Sequence, residues 1–326
     1  KQENAIIASE DAFGTNFEQR FGVDWKINFN LKFSFKNALW QTSISNAFVS
    51  LSDPTAYFIS GAGFPIGQVV FRDANSGNEL ARVDNSGILG GQPFQYLSGG
   101  TLPNDAIMGV ATWDKGNTAN EVMNSFVLSK KTGDNDFSIG MSSGFSDTSL
   151  RTQGSFGYAT YEPNARMMQV TIENSGAPVQ YLSDSNGASN YGGLFFGDSR
   201  ANVSQIGIFT NERWGINEDL DLEAGLRYEI INHKGSNDRS EQFQQQGGFD
   251  GNENTLYDNG VQMSSGERDN FDFKYDYLSA SIGLNYSLND DMSVFARFSK
   301  GNKAPEMNYY FNNFTNVPID KKGEVQ

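Results

Sequence analysis

Between Leu220 and Ile230 the chain alternates strictly. Leu220, Leu222, Ala224, Leu226, Tyr228 and Ile230 interleave with Asp221, Glu223, Gly225, Arg227 and Glu229. A period of two puts the first set on one face of a β-strand and the second on the other. Eleven such residues match the roughly 9–11 that a tilted strand needs to cross a bilayer. The pattern returns where Leu278, Ala280, Ile282, Leu284, Tyr286 and Leu288 alternate with Ser279, Ser281, Gly283, Asn285 and Ser287. Phe137, Ile139 and Met141 alternate with Ser138, Gly140 and Ser142, and Phe21, Val23, Trp25 and Ile27 with Arg20, Gly22, Asp24 and Lys26. The polar set is small or charged, which suits a wet lumen behind a lipid-facing surface.

Eight strands follow from this reading, near residues 17–27, 31–45, 120–131, 136–147, 203–214, 220–231, 277–288 and 292–301. Four short turns pair them: Asn28-Phe29-Asn30, Thr132-Gly133-Asp134-Asn135, Ile216-Asn217-Glu218-Asp219 and Asn289-Asp290-Asp291. Asn and Asp side chains bond to their own backbone and tolerate left-handed conformations, so they favour turns. Three long connections, near 46–119, 148–202 and 232–276, separate the hairpins. Short turns alternating with long loops are the rhythm of an outer-membrane barrel. Trp25, Trp214 and Tyr286 lie close to the short turns, where an interfacial aromatic girdle is expected. The strand near 203–214 has a mixed outer face, because Ile206 and Ile208 share parity with Glu212. The strand near 31–45 loses its phase after Phe35.

Composition narrows the class. No apolar run in the 326 residues approaches the roughly 20 that a transmembrane helix requires, and this leaves a membrane barrel open. The formal charge of −15 argues against a nucleic-acid partner, which asks for a basic footprint. With no cysteine and one histidine, His233, disulfide frameworks, cysteine-based zinc sites and histidine-dependent triads are not expected. No catalytic constellation stands out, and no metal or cofactor is called for.

Two segments carry a resemblance. Ser204 to Glu229 holds an aromatic-rich strand ending in Trp214, a turn, and a return strand with Leu222-x-x-Gly225-Leu226-Arg227-Tyr228. Met292 to Glu306 holds a strand ending in Gly301-x-x-Ala304-Pro305. In this order and spacing they resemble the mid-barrel motifs of TonB-dependent outer-membrane receptors. The resemblance covers mainly residues 203–305. It implies an all-β transmembrane antiparallel barrel of 22 strands in a Gram-negative outer membrane. Residues 1–326 would be a portion of that single barrel domain, with the plug outside this segment. The implied partners are outer-membrane lipid and lipopolysaccharide, TonB through a missing N-terminal segment, and a ligand that could be a siderophore, a saccharide or a peptide. The implied activity is binding and gated import, not catalysis. No Asp-Gly-Ser-Ser motif of the starch-utilisation receptors is present.

Ligand contact would fall to loop aromatics, which stack on rings but also anchor loops. The candidates are Tyr57, Tyr96 and Trp113 in the first long connection, beside Phe58, Phe64 and Phe94, and Tyr309 and Tyr310 after the Ala304-Pro305 element, beside Phe311 and Phe314. Asp250 to Asn254 offers oxygens on alternate residues, as a calcium loop would, but lacks the later bidentate Glu. Arg20, Asp24, Lys32, Lys36, Arg227, Glu229 and Arg297 are expected to face inward. Two other functions fit such a chain: a passive pore, or a platform for surface protein partners such as a lipoprotein. A soluble β-sandwich is a further alternative, disfavoured by the lipid-length alternation.

Overall fold

The computed structural model describes residues 6–51, 66–97, 99–174, 177–189 and 195–311. Its strands are β1 (Ile6–Phe21), β2 (Trp25–Ser50), β3 (Gln68–Asp73), β4 (Glu79–Asp84), β5 (Gln95–Tyr96), β6 (Ala106–Thr132), β7 (Asn135–Thr160), β8 (Met168–Asn174), β9 (Ala177–Tyr181), β10 (Ala188–Ser189), β11 (Phe195–Gly215), β12 (Leu220–Gln244), β13 (Gly260–Asn289) and β14 (Met292–Lys300). Among the described residues the long strands form one antiparallel meander in the order β1-β2-β6-β7-β11-β12-β13-β14, with β10 paired to β7. This sheet is a wall rather than a closed barrel.

The register fixes two faces. Met141 on β7 pairs with Phe126 on β6 and Ile208 on β11, Ile208 pairs with Tyr228 on β12, and Tyr228 with Leu278 on β13. Phe29 on β2 joins the same row through Phe126. Many of these apolar side chains are exposed, including Phe126, Met141, Ile208, Tyr228 and Leu278. In water so large an exposed apolar surface would be a liability. Facing hydrocarbon it is the surface a spanning strand needs, because the ladder already satisfies the backbone. The opposite face carries Lys32, Ser125, Ser142, Gln205, Arg227 and Ser281.

The four short turns lie at one end of the wall. The turns after β6, β11 and β13 sit where the Asn/Asp/Gly clusters place them. The first does not. The strand expected over 17–27 breaks at Gly22-Val23-Asp24, with φ of 57° at Gly22 and 64° at Asp24, and Asn28-Phe29-Asn30 lies inside β2. Asn28 and Asn30 point to the polar face, where Asn30 Nδ2 donates to Asn28 Oδ1 at 2.6 Å. Trp25, Trp214 and Tyr286 all share the apolar face near the turns, and Lys130 Nζ sits 5.3 Å from the Trp25 ring centroid.

At the other end the long connections are shorter than expected, because the strands run on past the lipid-facing belt. The third shrinks from 232–276 to residues 245–259. Trp113, expected in a loop, lies within β6. The first two connections supply a second antiparallel sheet in the order β5-β4-β3-β8-β9. One face of that sheet (Val69, Phe71, Ala81, Val83, Val170, Ile172) forms a core with Phe94, Leu102, Met168 and Leu182. This core packs on Val49, Ile107 and Tyr158 from the ends of β2, β6 and β7. Those three share the parity of the polar face, so the small sheet folds inward over it.

Candidate functional site

The site is the polar face of the wall together with two segments that fold across it. Along the wall, charges come in pairs. Lys32 Nζ lies 2.8 Å from Glu10, Lys26 is 2.9 Å from Glu18, and Arg213 is 2.7 Å from Asp221. Lys36 pairs with Glu121, which also accepts from Ser34 Oγ at 3.1 Å. Arg227 Nη2 donates to Glu229 at 2.6 Å and to Ser142 Oγ at 3.1 Å. A Cβ on Gly207 would stand 2.6 Å from that Nη2, so the missing side chain lets the guanidinium lie across β11. Asp24 leaves the expected inward set, since it sits in the first turn.

The first inward segment is the small sheet. Its other face carries Arg72, Arg82, Thr171 and Glu173. Arg72 bridges Glu173 and Thr171 Oγ1, and Arg82 Nη2 lies 2.8 Å from both Glu173 Oε2 and Glu79 Oε2. Burial pushes the Glu173 carboxyl up, but Arg72 and Arg82 outweigh it and hold the group below its ordinary value. A depressed folded-state pKa contributes stability above the unfolded value, about 4.3 for Glu, and loses it as pH falls through the folded value. Amide protection in β3, β4 and β8 is therefore expected to be flat from pH 7 to 5 and to fall below about pH 4. Hydrogen exchange across that range checks it, and protection that rises on acidification contradicts it.

The turn at 245–259 joins this body, with Tyr181 N–H donating to Asn254 O at 2.7 Å. The side-chain oxygens of Asp250 and Asn252 are committed within the turn. Asp250 accepts from Asn252 N–H at 2.8 Å and from Thr255 Oγ1 at 2.9 Å, and Asn252 Oδ1 accepts from Asn254 N–H at 3.0 Å. The alternating pattern read as calcium-like serves as turn chemistry. Among the described residues no group of three or more His, Asp or Glu is placed to hold a metal ion.

The second inward segment, residues 301–311, follows β14. Asn302 Nδ2 donates to Leu278 O at 3.3 Å, Lys303 pairs with Glu306 at 2.6 Å, and Asn237 Nδ2 donates to Tyr310 O at 2.7 Å. The Tyr310 ring lies 5.1 Å from His233, 5.1 Å from Phe273 and 5.5 Å from Phe271, and its hydroxyl meets that of Tyr275. Phe311 packs on Leu150 and Ala201. The segment is thus a strap pinned to the polar face by aromatics of β13.

Of the ligand-contact candidates, Tyr57 lies outside the described residues, as do Phe58, Phe64 and Phe314. Tyr96 lies in β5 at the edge of the small sheet's core, and Leu102 N–H donates to its hydroxyl at 3.3 Å. Burial, and then Asp105, push that hydroxyl's pKa up. Trp113 meets Trp40 edge-on at 6.3 Å on the wall. Tyr309 and Tyr310 come together on the strap, the first exposed and the second buried. The structure does not gather all of them at one place. Phe271, Phe273, Tyr275 and Tyr277 were not singled out from the sequence, though the signal is there. The apolar parity of β13 is odd up to Tyr277 and even from Leu278 on, with no bulge between. The switch marks where the strand leaves the lipid and turns its aromatics to the other face.

Residues 7–323 match the model of the TonB-dependent receptor-like β-barrel family, and the chain belongs to that family of Gram-negative outer-membrane proteins. Two solved structures are similar to it. The ferric yersiniabactin uptake receptor FyuA from Yersinia pestis is 10% identical, with 91% of this chain and 42% of that chain covered and a TM-score of 0.23. The ferric-catecholate import receptor Fiu from E. coli K12 is 8% identical, with 91% and 54% covered and a TM-score of 0.24. The chain thus spans about half the length of these receptors. No curated protein matches it.

Proposed function

We propose that this chain is part of the barrel of an active importer, which binds a solute outside the cell and passes it to the periplasm with energy delivered through TonB. Family membership supports the receptor reading. The observation that supports the choice of active import is that two segments fold across the polar face. The small sheet packs on Val49, Ile107 and Tyr158, and the strap packs on Leu150 and Ala201. A gated importer is closed at rest and opened by work, and segments folded across the polar face fit that state. Among the described candidate aromatics, Tyr309, exposed on the strap, is the best placed to meet a solute.

The test uses cells expressing the full-length protein and panels of radiolabelled siderophores, saccharides and short peptides. Accumulation of one of these solutes is expected, with its loss in a strain lacking TonB. Accumulation independent of TonB establishes the passive pore instead. A second reading, a platform for surface proteins, draws on the small sheet's own buried core. Fixed protein partners on purification, with no solute accumulated, would establish it.

A further inference from the structure

Between the strap and strands β1, β2, β6 and β7 of the wall lies a cavity of about 530 Å³ lined by Ala8, Glu10, Lys36, Ala38, Met307 and Phe311 among others. Pockets of about 300–1,000 Å³ suit small-molecule ligands. Met307 and Phe311 form one side and are apolar. The floor is strand surface kept low by Ala8 and Ala38, which are register partners on β1 and β2. Glu10 and Lys36 are also register partners, so they stand side by side. Cβ atoms of such a pair are roughly 4.5–5.5 Å apart. Yet the two do not pair with each other. Glu10 turns to Lys32, and Lys36 to Glu121. Both stay solvent-accessible, with side-chain exposures of 42% and 39%.

We infer that this cavity binds a short peptide with free termini and apolar side chains. The inference rests on the importer reading and adds the site and the ligand class. Its ammonium would meet Glu10, its carboxylate Lys36, and its side chains Met307 and Phe311. Charge-assisted hydrogen bonds at both ends are stronger than neutral ones. A purely anionic solute would meet Glu10 at the same place, and a neutral saccharide would bring no charge of its own to either residue.

The experiment is calorimetric titration of the purified full-length receptor in detergent with trileucine. Trileucine is expected to bind. N-acetyl-trileucine amide, which carries neither terminal charge, is expected to bind at least about 10-fold more weakly. Glu10→Gln and Lys36→Met are each expected to weaken trileucine about 10-fold, because each removes one charged partner. Ala38→Leu fills the cavity floor without touching a charge and is expected to do the same, so the test does not depend on the ion-pair variants folding. Absence of trileucine binding, equal binding of the capped peptide, or unchanged affinity in folded Ala38→Leu protein each overturns the inference. TonB-dependent accumulation of another solute by cells would leave the importer reading standing while the peptide site falls.

Discussion

Leu226→Lys is expected to lower the stability of the full-length protein in lipid vesicles by about 2–4 kcal/mol, the cost of a lysine on the lipid face near the bilayer midplane. Leu226 lies midway along the apolar run of β12, flanked in register by Thr210 and Ala280 and followed by Tyr228 beside Ile208. Its side chain is half exposed. The register neighbours on this face are Thr210 and Ala280, so the ammonium must reach toward Glu212 beside Ala224, snorkel or thin the bilayer. Ser281→Lys is the matched control. Ser281 pairs with Gly225 and Ser299 on the polar face, where a lysine is hydrated. Its cost is expected to stay below about 1 kcal/mol. Denaturant titration in vesicles, followed by tryptophan fluorescence, measures both. Equal costs at the two positions would mean that the assignment of the faces is wrong.

The same contrast explains what was legible in the sequence. Where hydrocarbon bathes one face, each second residue must be apolar, and β12 and the second half of β13 show their strands openly. Above the bilayer that demand ends while the hydrogen-bond ladder continues. The upper parts of β2, β6, β7 and β12 are therefore strands with no alternation to announce them, and they read as loops. The first turn was hidden for another reason. A three-residue turn after Phe21 leaves odd positions outward on both β1 and β2, so the alternation Phe21, Val23, Trp25, Ile27 runs through it unbroken. The small sheet was hidden because its strands are short and separated by glycine-rich turns. Of the site, the aromatic cluster at Tyr309 and Tyr310 was visible, but not its anchorage. The cage around Tyr310 is built from β12 and β13, more than 30 residues away in the chain, and only the register brings Phe271, Phe273, Tyr275 and His233 together.

Phe71→Ala is expected to unfold the small sheet while leaving the wall intact. Phe71 is fully buried in that core, which is contributed by the first two long connections. Removing a buried phenylalanine costs about 3–5 kcal/mol, the transfer term plus the cavity. A sheet of such short strands holds little more than that in reserve, because sheets of this size depend on one packed face. The wall does not share the loss, since its long ladders persist independently of the small sheet that caps it, and such units open separately. Hydrogen exchange on the full-length protein should therefore show protection lost over residues 68–84 and 168–181 and kept over 203–231. The strap is a second control within the same measurement, because Tyr310 and Phe311 pack on β7, β11, β12 and β13 and not on the small sheet. Loss of protection confined to the cap would establish it as a separate folding unit laid over the lumen. Loss spread evenly through the wall would show instead that cap and wall unfold as one, and that opening the lumen cannot proceed by releasing the cap alone.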